Sequence, residues 1–297
     1  MKERFLFSLF KIFSNIIKRI KTTRKINFIN WLANKYLNLK SANKRKRVIK
    51  SNLNYALPYL NEKEINNITF KSIKNLGMNA IQAINNYNQQ TLKDLTITVE
   101  NEDIVLNALK ENKKIIFVTA HFGNWELLTS LISIRYKKLL AIYKKLKHDT
   151  FNDYLLESRQ NSGLEMKEKH GGIKPLIKSL KNGEPIGLLI DQGTSLDNGI
   201  EVTHFGKKTY FIPSASQLSR MTGAVIIPIF IYTDDYLNYK LKVFEEIKCD
   251  KTKDKEKDMF ECTQKQANIF EKAIKEQPEL WFWSHKRWRH TNSELYN

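Results

Sequence analysis

Apolar residues recur at two spacings along the chain, and the change from one to the other divides it. From residue 2 to 21, Phe5, Leu6, Leu9, Phe10, Phe13, Ile16, Ile17 and Ile20 fall three and four apart among Lys11, Lys18, Arg19 and Lys21, the spacing of an amphipathic helix with a basic face. Lys11 interrupts the apolar run, so it falls short of the ~20 residues that cross a bilayer, and no small-residue cleavage site follows. Such a segment is expected to lie in a membrane interface, apolar face down; the competing expectation is a core helix of a bundle. A helix from the basic run Lys44–Arg47 to about Ala56 follows, then Pro58, then Asn61 and Glu64 at capping-box spacing opening a helix to about Tyr87.

From Leu95 the pattern becomes strand and helix in alternation. Short apolar runs at Leu95–Val99, Ile115–Val118, Leu139–Tyr143 and Pro185–Ile190 alternate with helix-period segments over Asp103–Lys110, Leu127–Ser133, Thr150–Gln160 and Ile173–Leu180. The runs have the continuous hydrophobicity of strands buried on both faces. The fold class predicted is α/β, with a central, mostly parallel sheet flanked by helices and a helical N-terminal region. The organisation expected is an interfacial helix over 1–22, a bracing helical region over 23–90 and an α/β domain over 91–297. Ala224–Ile231 is also expected as a strand, and Pro228 within it predicts an edge or a bulge. Asn238–Glu246 alternates like a strand. Lys251–Lys275 is expected as an exposed helix.

The densest chemistry lies where the second of these strands ends. Lys113 to Leu128 reads KKIIFVTAHFGNWELL, predicting strand, glycine turn, helix. In one continuous helix His121 and Glu126 would stand roughly 140° apart and about 7.5 Å along the axis, out of contact. With a bend at Gly123, the Glu126 carboxylate is expected to fold back onto the His121 imidazole. It would fix the tautomer and leave the other nitrogen as a general base, with a substrate hydroxyl as nucleophile. Backbone N–H groups at Gly123 and Asn124 are expected to support an oxyanion. Lys144 and Lys145, at a neighbouring strand end, and Arg159 beyond them are expected to contact phosphate or a carrier. Asp191-Gln192-Gly193 closes another strand, in the crevice where open sheets bind ligands.

Composition narrows the partners. Lysine and arginine number 50 against 31 acidic residues, a net charge of +19, so nucleic acid, anionic lipid or an acidic carrier protein would suit. No nucleic-acid module is present, and such binding would leave the strand-end motifs without a purpose. Only Cys249 and Cys262 occur, with no CxxC, so neither a disulfide framework nor a zinc site is expected, and one thiol is expected buried and one at the surface. His285 and His290 are expected to be structural.

Together the segments resemble the late acyltransferases of lipid A biosynthesis, within the wider glycerolipid acyltransferase superfamily. His121 to Glu126 is similar to the H-x4-[DE] box, Ile142–Lys147 with Arg159 to the second block, and Asp191-Gln192-Gly193 followed by His204-Phe205-Gly206 to the third. Val225–Ile229 resembles the fourth, Trp283–Arg287 a terminal block, and Arg45–Pro58 an N-terminal one. Gly193 stands where relatives often carry a second acid, and lysines stand in the second block where arginine is frequent.

The resemblance implies an O-acyltransferase that moves a fatty acyl chain, lauroyl-like in length, from acyl carrier protein to a hydroxyl of a 3-hydroxyacyl chain on a lipid A precursor. It implies the cytoplasmic face of the inner membrane, anionic lipid there as a further partner, no metal and no cofactor. It leaves open an enzyme that acylates lysophosphatidic acid or another lipid, and a membrane-bound relative kept as a scaffold.

Overall fold

The computed structural model describes residues 2–84, 92–93, 95–143, 145, 148–168 and 173–297. The helical N-terminal region consists of α1 (Lys2–Arg19), α2 (Thr22–Asn38), α3 (Asn43–Ala56) and α4 (Glu62–Ala83). The Asn61 side chain accepts from the Glu64 N–H and the Glu64 side chain from the Asn61 N–H, so the expected capping box opens α4. The expected end of that helix at Tyr87 lies outside the described residues.

The sheet order is β1 (Thr96–Glu100), β9 (Asn238–Val243), β8 (Val225–Tyr232), β2 (Ile115–Thr119), β5 (Ile186–Leu189), β3 (Leu140–Tyr143), β4 (Glu165–Glu168). Every neighbouring pair is parallel except β8 with β9. Helices α5 (Glu102–Lys110), α6 (Trp125–Arg135), α7 (Asp149–Asn161), α8 (Lys174–Lys181), α9 (Ser214–Thr222) and α10 (Lys255–Glu276) complete the α/β part. Ile116 and Val118 enter one apolar layer and Ile115 and Phe117 the other, so β2 is buried on both faces, as its unbroken hydrophobic run requires.

Three expectations are corrected. Strand β8 is internal, between β9 and β2. Its first half, to Pro228, pairs with β2, and its second half, from Ile229, pairs with β9; the proline, which lacks an N–H, stands at the changeover. Helix α10 is half buried, since Met259, Cys262, Phe270, Ala273 and Ile274 face the core beneath a lysine-rich outer surface. Cys249 and Cys262 are both buried. Strand β4 was not anticipated because its sequence, EMKE, is mostly charged, which suits an unpaired edge.

A two-stranded ribbon of β6 (Ile200–His204) and β7 (Lys207–Phe211) turns at Phe205-Gly206, both with positive φ, the geometry of a tight hairpin. Helix α1 is apolar on two sides. Phe7 and Phe10 pack on Phe151 and Tyr154 of α7 and Ile17 is buried, whereas Leu6, Leu9, Ile12, Phe13 and Ile16 are exposed. Phe28, Trp31 and Leu32 of α2 are exposed as well. Among the described residues no helix is long and apolar enough to cross a membrane.

Candidate active site

His121 and Asp191 follow the carboxyl ends of β2 and β5, which lie side by side and parallel, so topology brings together residues seventy positions apart. His121 Nδ1 lies 2.8 Å from Asp191 Oδ1, and the His121 backbone N–H donates to Asp191 Oδ2 at 3.1 Å. Trp281 Nε1 donates to the same Oδ2 at 2.9 Å. Asp191 is 3% exposed, and both its oxygens are engaged inside the protein. It is the carboxylate that meets the imidazole, a placement not predicted from the sequence, which led to the expectation of a substrate contact there.

Glu126 is turned elsewhere. It lies on the first turn of α6 and accepts two bonds from Arg159 of α7, Nη2 to Oε1 at 2.6 Å and Nε to Oε2 at 3.0 Å. The expected Glu126–His121 hydrogen bond is thus replaced by one from Asp191, because α7 sets a bidentate cation in front of Glu126. The sequence signal that could have found this was present: Asp191 ends a buried strand in the ligand crevice, as His121 does.

The bend itself is tightly held. Gly123 has φ of +55°, and a Cβ there would meet the Ile231 carbonyl oxygen at 2.0 Å, so only glycine fits. Its N–H donates to Leu280 O at 3.0 Å, and the Phe282 N–H donates to His121 O at 3.0 Å. The Asn124 side chain accepts from the Leu127 N–H at 3.0 Å and donates to Gln82 Oε1 at 2.8 Å. The Gly123 N–H, expected together with that of Asn124 to support an oxyanion, is therefore committed to holding the turn, and the Asn124 side chain caps α6.

Burial works against a charged imidazole, but the Asp191 carboxylate, by charge and hydrogen bond, and Glu126 more weakly, hold the His121 pKa above its ordinary value. Burial likewise works against the Asp191 carboxylate, while the charge and hydrogen bonds of His121 and the Trp281 N–H keep its pKa low. The pair is suited to an ionised carboxylate against an imidazole ready to accept a proton. With Nδ1 bound to Asp191, Nε2 is the nitrogen left for substrate. The Gln192 amide nitrogen lies 3.5 Å from it, and the rings of Trp125 and Phe282 stand beside the imidazole.

Of the other expected contacts, Lys145 is exposed and paired with Asp149 at 3.0 Å, and Lys144 lies outside the described residues. His204 is buried and turns Nδ1 to Ala267 O at 3.1 Å, with burial pushing its pKa well down; it is a core residue. Arg287, 2% exposed, donates to Thr209 Oγ1 and Tyr210 O at 2.9 Å, and burial pushes its pKa down to about 10. A surface concavity of about 880 Å³, lined by Ser133, Gln160, Gly163 and Glu165, opens near the amino ends of β3 and β4, away from His121. Among the described residues no group of three or more histidine, cysteine or acidic side chains could hold a metal ion.

The family model for bacterial lipid A biosynthesis acyltransferases matches residues 2–290. The chain belongs to that family. Individual relatives of the family are distant. A lipid A biosynthesis palmitoleoyltransferase of Escherichia coli is 21% identical over 253 residues, 83% of this chain and 79% of that protein. A lipid A biosynthesis acyltransferase of Haemophilus influenzae is 24% identical over 216 residues, 71% of this chain and 64% of that protein. A phosphatidylinositol mannoside acyltransferase of Mycolicibacterium smegmatis is 23% identical over 190 residues, 63% of this chain. The matches to that protein and to two phosphatidylinositol mannoside acyltransferases of Mycobacterium tuberculosis span only 54% to 60% of their length.

Proposed function

We propose that this protein is an O-acyltransferase that moves a fatty acyl chain, lauroyl-like in length, from acyl carrier protein to a hydroxyl of a 3-hydroxyacyl chain on a lipid A precursor. The observation that carries the reading is the partly exposed His121 imidazole, fixed through Nδ1 by a buried carboxylate and met at Nε2 by the Gln192 amide at 3.5 Å. In the reaction, Nε2 takes the acceptor hydroxyl proton as that oxygen bonds to the thioester carbonyl carbon. The tetrahedral oxyanion then collapses, the carbon–sulfur bond breaks, and the imidazolium returns the proton to the leaving thiolate. The Gln192 amide, 3.5 Å from Nε2, is the donor we assign to that oxyanion. Glu126 adds negative charge behind the imidazole, and Arg159 holds that charge in place.

The rest of the proposal concerns location and charge. Enzyme and acceptor would meet at the cytoplasmic face of the inner membrane, with the exposed apolar residues of α1 and α2 in the interface. Between Glu3 and Glu62 the chain contains no acidic residue while lysine and arginine recur throughout, which suits anionic lipid. An acidic carrier would be drawn by the same positive field. No cofactor is required by the acyl transfer written above, which needs only base, donor and acceptor.

A second reading, transfer to lysophosphatidic acid or another lipid, is favoured by relatives whose names specify a mannosylated phosphatidylinositol. Incubation of labelled lauroyl carrier protein with each acceptor, followed by thin-layer separation, decides between them: product on the lipid A precursor alone supports the first, and product only on another lipid overturns it. Purified His121→Ala should lose about 10²-fold or more in turnover while remaining folded. Near-normal turnover would remove His121 as the base and with it the mechanism.

A further inference from the structure

Helix α4 carries five buried polar side chains, and four of them, Ser72, Asn75, Asn79 and Gln82, are spaced three, four and three apart. At about 100° per residue they fall within an arc of roughly 80°, so one face of a helix packed in the core is polar along its second half. Buried amides are costly unless bonded, and the partners of these four are instructive. Asn79 Nδ2 donates to the Gly123 carbonyl oxygen, Asn75 Nδ2 to the same oxygen at 3.5 Å and to Leu280 O at 3.1 Å. Ser72 Oγ donates to Trp281 O at 3.2 Å. Gln82 accepts from the Asn124 side chain at 2.8 Å and donates to the Tyr239 hydroxyl at 2.7 Å. The Asn79 amide can take one orientation only, since a carbonyl oxygen faces its nitrogen, and its own oxygen has no hydrogen-bond partner.

Each rung ends on one of the two structures that carry the His121–Asp191 pair: the Gly123 bend, which aims His121, and the Leu280-Trp281 segment, whose indole holds Asp191. We propose that this polar face, with Asn79 at its centre, is a positioning device that sets the His121 ring against Asp191, so that the helical N-terminal region governs catalysis without touching substrate. The proposal rests on His121 acting as the base. A face devoted to stability alone would be better filled by leucine, and three of its four rungs grip backbone carbonyls of the two segments that must be aligned.

The test uses the full-length protein with Asn79→Leu, close in volume, and Asn79→Ala, which leaves room for relaxation. One readout is turnover against the Michaelis constants. The other, independent of any substrate, is the downfield proton resonance of the His121 Nδ1–H shared with Asp191, assigned by its loss in Asp191→Asn. In whichever variant is folded by circular dichroism, kcat should fall at least about tenfold with both KM values within about twofold, and the resonance should move upfield or vanish. Wild-type kcat with an unmoved resonance overturns the proposal, and so does a loss of kcat with an unmoved resonance, which would make Asn79 a stability residue. Should no acceptor be turned over by the wild type, the resonance alone decides, and the failure of the acyl-transfer reading is then separate from that of the positioning face.

Discussion

Arg159 grips both oxygens of Glu126, at 2.6 and 3.0 Å, with each side chain about one-fifth exposed. The pair joins α6 to α7, so the helix that follows the His121 bend is braced against the helix on which α1 packs. Removing one partner leaves a partly buried charge unmatched. Glu126→Gln and Arg159→Met should each lower stability, and the double variant should lose less than the two losses added together, with a coupling of about 0.5–3 kcal/mol. Urea unfolding of the four proteins measures it; strict additivity would show that the contact contributes nothing.

The same geometry ranks two carboxylates. Asp191 touches the imidazole and Glu126 does not, so Asp191→Asn should cost about 10²–10⁴-fold in kcat, and Glu126→Gln should cost less. Steady-state rates at one pH suffice. A larger loss at Glu126 would mean that the substrate complex rearranges the carboxylates.

The His121 pKa is held above its ordinary value, and the base must be neutral to act, so the acidic limb of kcat/KM should lie above about 6.5. In Asp191→Asn burial is left with less opposition, the imidazole pKa falls and the limb moves to lower pH. For stability the signs run oppositely within the pair. The His121 contribution is present below its unfolded pKa and lost as pH rises through the raised folded value. That of Asp191 is present above its unfolded value and lost as pH falls through the depressed one. Their combined stabilisation should peak between the carboxylate range and neutrality, and chemical denaturation across pH tests this by comparison with His121→Ala.

Trp281→Phe keeps an aromatic ring but removes the N–H given to Asp191. A buried carboxylate that loses a donor costs about 1.5–3 kcal/mol, and the Asp191 pKa should rise. An unfolding free energy unchanged from the wild type would contradict the hydrogen bond as drawn.

The outer stripe of α1 is the testable part of the membrane reading. Leu9→Glu combined with Phe13→Glu should abolish co-sedimentation with phosphatidylglycerol vesicles while leaving circular dichroism and turnover of detergent-dispersed acceptor near normal. Equal co-sedimentation would place membrane contact elsewhere.

Much of this was legible in the sequence where one local rule dominated. The unbroken apolar run at Ile115–Val118 announced a doubly buried strand, and Asn61 with Glu64 announced the start of α4. What resisted reading was set by non-local pairing. Nothing near Pro228 reveals that its strand changes partners there, and nothing within five residues of His121 reveals that a carboxylate from β5 outcompetes Glu126. Of the two expectations for α1, the core helix describes the side packed on α7, while the other side is apolar and exposed; apolar periodicity cannot separate a face that meets protein from one that does not. The polar rungs of α4 were visible as residues, but their purpose depends on backbone carbonyls from two distant segments.

The bend carrying His121 is clasped by Leu280 and Phe282, and its acid is steadied by Trp281, all far downstream. During synthesis the strands after which His121 and Asp191 stand emerge first, and a nascent chain stalled before residue 280 lacks the three bonds that Leu280, Trp281 and Phe282 make to the bend and to Asp191. The pair is thereby completed only when a segment some ninety residues beyond Asp191 has been made, which ties the order of folding to the site itself.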